Sequence, residues 1–176
     1  MSQVFPGRYT AQIDGPFVVF LIGMRVNKLW AVHKWLPVAQ AMGPMLRQLM
    51  AQPDLGLLHA QPVFYWRGVA LVQYWRSFDH LEAFARSPAA THLDAWRRFN
   101  RAVGADGSVG IWHETYAVQA GQSECLYGNM PRFGLARAAE HVPAVGARNT
   151  ARGRMGHSNT AVPTADLNAD AYESNS

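Results

Sequence analysis

The segment with the most chemical potential is GIWHETY, residues 110–116, which places an imidazole beside a carboxylate. Its threonine, tryptophan and tyrosine content is typical of a β-strand. Neighbouring side chains on a strand point to opposite faces, so His113 and Glu114 cannot form a direct acid–base pair on one surface. One of them faces the helix layer and the other faces the opposite side of the sheet. A histidine bonded to the backbone and a glutamate at a subunit contact would explain the pair equally well.

A second candidate is His92, on a helix predicted over residues 89–103. It shares a stripe with Trp96, Phe99 and Val103, which is the helix face that must lie on the sheet. An imidazole directed into an apolar layer needs a partner. Either it bonds a strand carbonyl, or it acts on a substrate as a base or orienting group, or it binds a haem iron.

Aromatic side chains are dense for so small a domain. They form either the core or the lining of a pocket for a flat apolar substrate, to which Glu114 would also belong. The aromatic candidates are Tyr74, Trp75, Trp96, Trp112, Tyr116 and Tyr127. After the last of these, the loop 127–131 offers Asn129, which could donate to a substrate oxygen or simply stabilise a turn.

Several function classes lack their usual motifs. The seven histidines show no metal-binding spacing and the single cysteine excludes a structural zinc site, so no metal is predicted. There is no P-loop, no GxGxxG after a strand and no GxSxG. The net charge of +4 is small and the only tight basic group is one helix turn, which argues against a nucleic-acid partner.

Cysteine usage and hydropathy indicate the compartment. Cys125 has no partner for an internal disulfide, which suits a reducing cytoplasm. The longest apolar run, residues 17–24, is far shorter than the ~20 residues of a membrane span, and no signal-peptide pattern opens the chain. We therefore expect a cytoplasmic protein without a membrane partner.

The elements that must position these residues follow from periodicity and turn signals. The predicted order is strand 17–26, helices within 27–52, a hairpin of 55–66 and 69–75, helices 77–86 and 89–103, strand 109–118 and a short strand 124–127. This β-α-β-β-α-α-β-β order is a ferredoxin-like split βαβ pattern with one extra strand. The predicted class is α+β, an antiparallel sheet with helices on one face.

The first helical segment contains two prolines. Asn27 is a plausible N-cap, and apolar residues recur at helical spacing up to Pro53. Pro37 and Pro44 each remove a backbone donor, so we expect a short helix followed by a longer one.

The domain boundaries follow from composition. Residues 1–16 are predicted to be an N-terminal extension, 17–135 the ferredoxin-like domain, and 136–176 a disordered polar tail. The domain's sheet has one face without helices. A second copy of the same sheet is the commonest cover for such a face, so a homodimer is expected.

Five segments taken together resemble one known family. They are GMRVN (23–27), YWRSF (74–78), HLDAW (92–96), GIWHETY (110–116) and YGNMP (127–131). The chain resembles the monooxygenase-like family, a former domain of unknown function named after a member in the fungal fumagillin pathway. The resemblance implies a dimeric α+β barrel, a superfamily that includes cofactor-free monooxygenases, haem enzymes and simple ligand binders.

The resulting hypothesis is a monooxygenase without cofactor that acts on an apolar aromatic or polyketide-like small molecule. His92 or His113 would deprotonate the substrate, while Asn129 and the tyrosines would hold the oxyanion. One alternative is a haem protein with either histidine as axial ligand. Another is a non-catalytic small-molecule-binding dimer whose histidines are core residues.

Overall fold

The computed structural model describes residues 2–87 and 106–158, apart from the side chains of residues 41, 42, 45 and 48. The strands are β1 (Phe5–Gln12), β2 (Phe17–Val26), β3 (Leu57–Tyr65), β4 (Gly68–Trp75), β5 (Val109–Val118), β6 (Tyr127–Met130) and β7 (Glu140–Pro143). The α-helices are α1 (Val32–Ala51), α2 (Phe78–Arg86) and the short α3 (Ala151–Arg154). Short 3-10 helices occupy Pro53–Leu55, Gly134–Arg137 and Gly146–Asn149.

A four-stranded antiparallel sheet has the strand order β3-β4-β2-β5. This is the order of the ferredoxin-like split βαβ pattern, so the predicted fold class is confirmed. The predicted strand 17–26, the hairpin and strand 109–118 are all present. α2 begins after Ser77, whose hydroxyl accepts from the backbone N–H of His80 as an N-cap does. The helix predicted over residues 89–103 lies outside the described residues.

Two apolar clusters join the sheet to the helices. In one, Val18 and Trp75 pack with Leu49, Leu81 and Phe84 of the two helices. In the other, side chains at one end of the β2–β5 pair pack on the first half of α1: Met24, Val26 and Val109 against Trp35, Val38 and Ala39. The even-numbered residues of β2 therefore face the helices, and the odd-numbered residues face the other side, which we call the open face.

α1 differs from the prediction because it is one helix of 20 residues with both prolines inside it, and its N-cap is Ala31 instead of Asn27. Pro37 and Pro44 are seven residues apart, which is close to two helical turns, so they share one side of the helix. Both are exposed, as are His33 and Gln40, whose carbonyls lose their usual donors. Water can bond those carbonyls, so the helix continues through both prolines.

The structure contains a second sheet, of three strands in the order β6-β1-β7, which the sequence did not predict. β1 is its central strand and pairs antiparallel with both neighbours. The predicted N-terminal extension therefore contains a paired strand. The short strand lies at Tyr127–Met130 instead of 124–127, and part of the predicted tail forms β7 and α3. Composition missed β6 and β7 because a four-residue strand paired over a long sequence distance has no local hydrophobic pattern.

The second sheet covers part of the open face. The 3-10 helix Gly134–Arg137 lies between the two sheets, with Leu135 and Ala136 buried. The backbone N–H of Ala136 donates to the Tyr127 hydroxyl at 3.3 Å. A Cβ on Gly134 would lie only 3.2 Å from the Tyr74 hydroxyl, and its φ of +54° also favours glycine. One end of the open face is thus buried within the chain.

Candidate functional site

His113 lies on the helix-facing side of the four-stranded sheet. In the register of β2 with β5 it is opposite Ile22, while Glu114 is opposite Leu21 on the open face. The predicted separation of the two side chains onto opposite faces is confirmed, and the structure assigns the imidazole to the helix side. The ring of Phe20 lies 5.8 Å from the imidazole, centroid to centroid.

The surface around His113 combines an apolar floor with an exposed edge. Phe20 and Ile22 are partly buried, whereas His113, Thr115 and Ala117 are exposed. No hydrogen bond engages the imidazole within the described residues, so its nitrogens are available to a bound molecule. We call these five residues of β2 and β5 the His113 surface. It can hold a flat apolar group next to a titratable base.

The open face of β5 carries three other predicted site residues in a row: Trp112, Glu114 and Tyr116. The Tyr116 hydroxyl donates to Glu114 Oε2 at 2.6 Å. This hydrogen bond and the carboxylate charge raise the pKa of Tyr116. Tyr116 and Glu114 therefore bond each other on the side of the sheet away from His113.

Trp112 belongs to a hydrogen-bonded chain on the same face. Its indole Nε1 donates to the Tyr65 hydroxyl at 2.9 Å, and that hydroxyl donates to the Met24 carbonyl at 2.6 Å. Gly23 gives the indole its space, because a Cβ there would lie 2.8 Å from two Trp112 ring atoms. This series of hydrogen bonds fixes the orientation of the Trp112 indole.

Trp75 does not line an open pocket. It is fully buried on the helix side, where its indole donates to Gln73 Oε1 at 2.8 Å and its ring lies 5.7 Å from that of Phe84. Odd-numbered positions of β4 face the helices, so Trp75 points into the core while its neighbour Tyr74 points to the open face. The prediction that Trp75 contacts substrate is corrected to a core role.

Tyr74 and Tyr127 come together from different sheets. Both lie beside Cys125, under the 3-10 helix Gly134–Arg137. Burial raises the pKa of both phenols, and the neighbouring thiol raises it further. The phenols therefore stay protonated and act as hydrogen-bonding groups between the sheets.

Asn129 has a structural contact in the second sheet. Its side-chain oxygen accepts from the backbone N–H of Gly7 at 2.8 Å, at an irregularity in the pairing of β1 with β6. Its φ of +52° is in the left-handed region, which asparagine tolerates better than most residues. The amide oxygen is thus committed to the second sheet, on a different element from His113.

One further feature lies away from the predicted catalytic residues. A cavity of about 610 Å³ opens beside the second sheet, lined by Ser2, Gln3, Phe5, Pro131, Arg132 and Arg137. It contains none of the predicted catalytic histidines.

In the part of the chain that the structure describes, no three His, Cys, Asp or Glu side chains form a group that could hold a metal ion. His92 and Trp96 lie outside the described residues.

The sequence did not single out two half-buried histidines with ring nitrogens that are shielded from water. His141 stacks on Tyr9, with ring centroids 4.6 Å apart, and neither of its ring nitrogens has a hydrogen-bond partner among residues 2–87 and 106–158. His59 has an unpartnered, buried Nε2. Burial lowers the pKa of both, and nearby arginines, Arg132 for His141 and Arg137 for His59, lower it further. Only the pairing of distant strands reveals these environments.

The sequence profile of the Monooxygenase af470-like family matches residues 17–135, which is the whole four-stranded sheet with its connections. The chain belongs to this family. The matched range includes the His113 surface. β6 lies inside the matched range, whereas β1 and β7, the other two strands of the second sheet, lie outside it.

Other similarities are more distant. Monooxygenase af470 of Aspergillus fumigatus is 29% identical over 153 residues, covering 73% of this chain and 53% of the relative, so the chain spans about half that relative's length. SnoaB, a cofactor-independent oxygenase from Streptomyces nogalater, aligns with a TM-score of 0.41 and 12% identity over 57% of this chain and 90% of its own. A dimeric ferredoxin-like protein of unknown function from Jannaschia sp. CCS1 aligns with a TM-score of 0.39 and 18% identity over 56% of this chain and 97% of its own.

Proposed function

We propose that this family member is a monooxygenase that oxidises an apolar aromatic or polyketide-like small molecule with dioxygen, without flavin or metal. The observation that supports the proposal most directly is the family match over the whole ferredoxin-like domain. The geometry adds a base in a suitable setting, because His113 lies beside the ring of Phe20 and no hydrogen bond engages its imidazole within the described residues. His113 is therefore our first candidate for the catalytic base, and His92 is the second.

The proposed reaction uses the substrate as its own reductant. His113 removes a proton from a CH₂ group that is acidified by a neighbouring carbonyl or phenol ring. The resulting carbanion transfers one electron to O₂, and the two radicals then join in a C–O bond. The hydroperoxide anion takes the proton back from His113 and loses water to leave a carbonyl. The balance is R₂CH₂ + O₂ → R₂C=O + H₂O.

The surroundings of His113 suit this chemistry. Phe20 and Ile22 supply an apolar surface on which a flat ring can lie. The Thr115 side chain is two residues further along the same face and supplies a hydroxyl that can donate to an oxyanion. We assign no role at this surface to Asn129, because its oxygen bonds Gly7 in the other sheet.

A homodimer is part of the proposal. The open face carries apolar side chains of β2, β3 and β4, namely Val19, Leu21, Val63 and Val72, and all four are only partly buried. A second copy of the chain would cover them by packing sheet against sheet.

The test is oxygen uptake with a panel of polycyclic phenols and β-dicarbonyl compounds. We expect consumption of one O₂ per molecule of carbonyl product with the wild-type protein as purified. The variant His113→Gln should lose roughly 10²–10⁴-fold in rate, the usual value of a general base. His157→Gln serves as the matched control, because that histidine is exposed and lies in a different part of the fold.

Two outcomes would contradict the proposal. A Soret band that appears on adding hemin and disappears in His113→Gln would indicate a haem protein. Saturable binding of these compounds without any oxygen uptake would indicate a non-catalytic binder. If uptake is unchanged in His113→Gln but lost in His92→Gln, the reaction stands and the base is His92.

A further inference from the structure

One end of the four-stranded sheet exposes an unusual number of large apolar side chains. Phe64, Trp66 and Trp30 are 84%, 82% and 79% exposed. Leu29, Val32 and Leu36 are exposed beside them, and we call these six residues the aromatic end. Two almost fully exposed tryptophans are rare on a protein surface unless they contact something.

The aromatic end is one continuous surface. The β3–β4 turn carries Trp66, and its Arg67 is bonded to the end of β2: the Arg67 carbonyl accepts from the Val26 N–H at 2.7 Å. The Arg67 guanidinium donates to the Asn27 carbonyl. The next residues after Asn27 are the loop with Leu29 and Trp30, so the two indole-bearing turns are neighbours.

This loop and turn are firmly braced. The Trp35 indole donates to the Leu29 carbonyl at 3.1 Å. The backbone N–H groups of Asn27 and Lys28 donate to the Ser108 carbonyl at 2.9 and 3.2 Å. The backbone that carries Trp30 and Trp66 is therefore held in place by hydrogen bonds. Binding through these indoles would cost little conformational entropy.

Positive charge surrounds the exposed apolar groups. Arg25, Lys28, Lys34 and Arg67 all lie at this end of the sheet. Among the described residues here the only carboxylate is Asp106, which pairs with Lys34. The described part of the aromatic end is thus cationic as well as apolar.

We propose that the aromatic end docks on the surface of an anionic lipid bilayer. Tryptophan side chains favour the headgroup region of a bilayer. Lysine and arginine beside them are attracted by the negative potential of an anionic lipid surface. The two indoles stand on turns that project from the sheet end, a shape that suits insertion between headgroups. The prediction of no membrane partner rested on the absence of a spanning segment. None of the described helices could span a bilayer, but a surface contact needs no such helix.

The test is flotation of the full chain with vesicles of phosphatidylcholine alone or mixed with phosphatidylglycerol. We expect binding to the anionic vesicles that weakens as salt is added. The double variant Trp30→Ser/Trp66→Ser should bind at least about tenfold more weakly. Lys28→Glu should lose at least about fivefold, since each surface cation contributes on the order of 1 kcal/mol.

Matched controls separate this surface from general stickiness. Phe78→Ser removes an exposed aromatic at the start of α2 and should bind as the wild type does. The absence of vesicle binding, or binding that none of these variants weakens, would overturn the proposal. So would a sedimentation coefficient, measured without lipid, that falls in the double tryptophan variant, because the indoles would then be buried against another protein chain.

Discussion

At the scale of single residues, Gly23 shows how tightly the open face is packed. A methyl group at this position would come within 2.8 Å of the Trp112 indole and 2.9 Å of Ala70 Cβ. We predict that Gly23→Ala lowers the free energy of unfolding by about 1–3 kcal/mol, because the indole must move and lose its bond to Tyr65. Urea denaturation followed by circular dichroism measures the change.

The control for this substitution is Gly43, which lies inside α1, where an added methyl group would have nothing within 4 Å of it. Gly43→Ala should raise the free energy of unfolding by about 0.4–1 kcal/mol through the lower entropy of the unfolded chain. If both variants changed stability equally, the close packing of Gly23 against Trp112 would have no energetic significance.

The half-buried histidines His59 and His141 predict an acid-sensitive fold. The pKa values of His59 and His141 are lowered from the ordinary value of 6.5 because burial disfavours the imidazolium. Below that value the unfolded chain binds more protons than the folded one. Stability is therefore full above about pH 6.5 and falls as the pH drops toward the folded-state pKa values. Urea midpoints measured from about pH 8 to pH 5 should show the decrease.

A variant at His141 identifies the source of this effect. His141→Phe keeps an aromatic ring between Phe5 and Tyr9 but cannot take up a proton. Its unfolding midpoint should depend less on pH than that of the wild type, whereas the exposed-site variant His157→Gln should match the wild type. An unchanged pH dependence in His141→Phe would show that this ring does not titrate on unfolding.

At the scale of elements, the sequence predicted correctly those helices and strands that are determined by residues close together in the chain. The hairpin and α2 were predicted correctly because Arg67-Gly68 and Ser77 act on their immediate neighbours. α1 was predicted as two helices because Pro37 and Pro44 each disfavour helical structure. The sequence does not show that both prolines face water, which can bond the carbonyls left without donors. The role of Trp75 was missed because strand alternation shows that neighbours differ in face without showing which of them faces the helices.

β1 is expected to protect the only cysteine. The Ala11 N–H donates to Cys125 Sγ at 3.3 Å, and the Thr10 hydroxyl donates to the Cys125 carbonyl at 2.8 Å. Removing residues 2–12 should make Cys125 react several-fold faster with a thiol reagent. The measurement is the labelling rate under native conditions, with the urea-unfolded chain as the upper limit. Equal rates with and without β1 would contradict this role.

At the scale of the whole molecule, the proposed dimer is tested by sedimentation velocity at micromolar concentration. Leu21 and Val72 lie opposite each other on the open face, so a charge there would be buried without a partner in the dimer. We predict a dimer for the wild type and a monomer for Leu21→Arg. Val145→Arg, at an exposed position elsewhere, should remain a dimer. A monomeric wild type would refute the proposal.

The overall architecture was predictable only in part. The ferredoxin-like sheet follows from elements that are each visible in the sequence, and the motifs in GIWHETY and YWRSF placed it in its family. The second sheet has no such signal. The environments of Cys125, His141 and Tyr127 depend on β1, so their burial and altered pKa values could not be inferred from neighbours in sequence.

The position of β1 also bears on how the chain folds as it leaves the ribosome. Gly7 and Asn129, which are 122 residues apart, are joined by a hydrogen bond, and the other partner strand of β1 comes later still. Contacts between residues so far apart in sequence form slowly, and only after both segments have been synthesised. The ferredoxin-like sheet can close before the partner strands of β1 are available, so β1 precedes that sheet in the sequence but is among the last of the described strands to be paired.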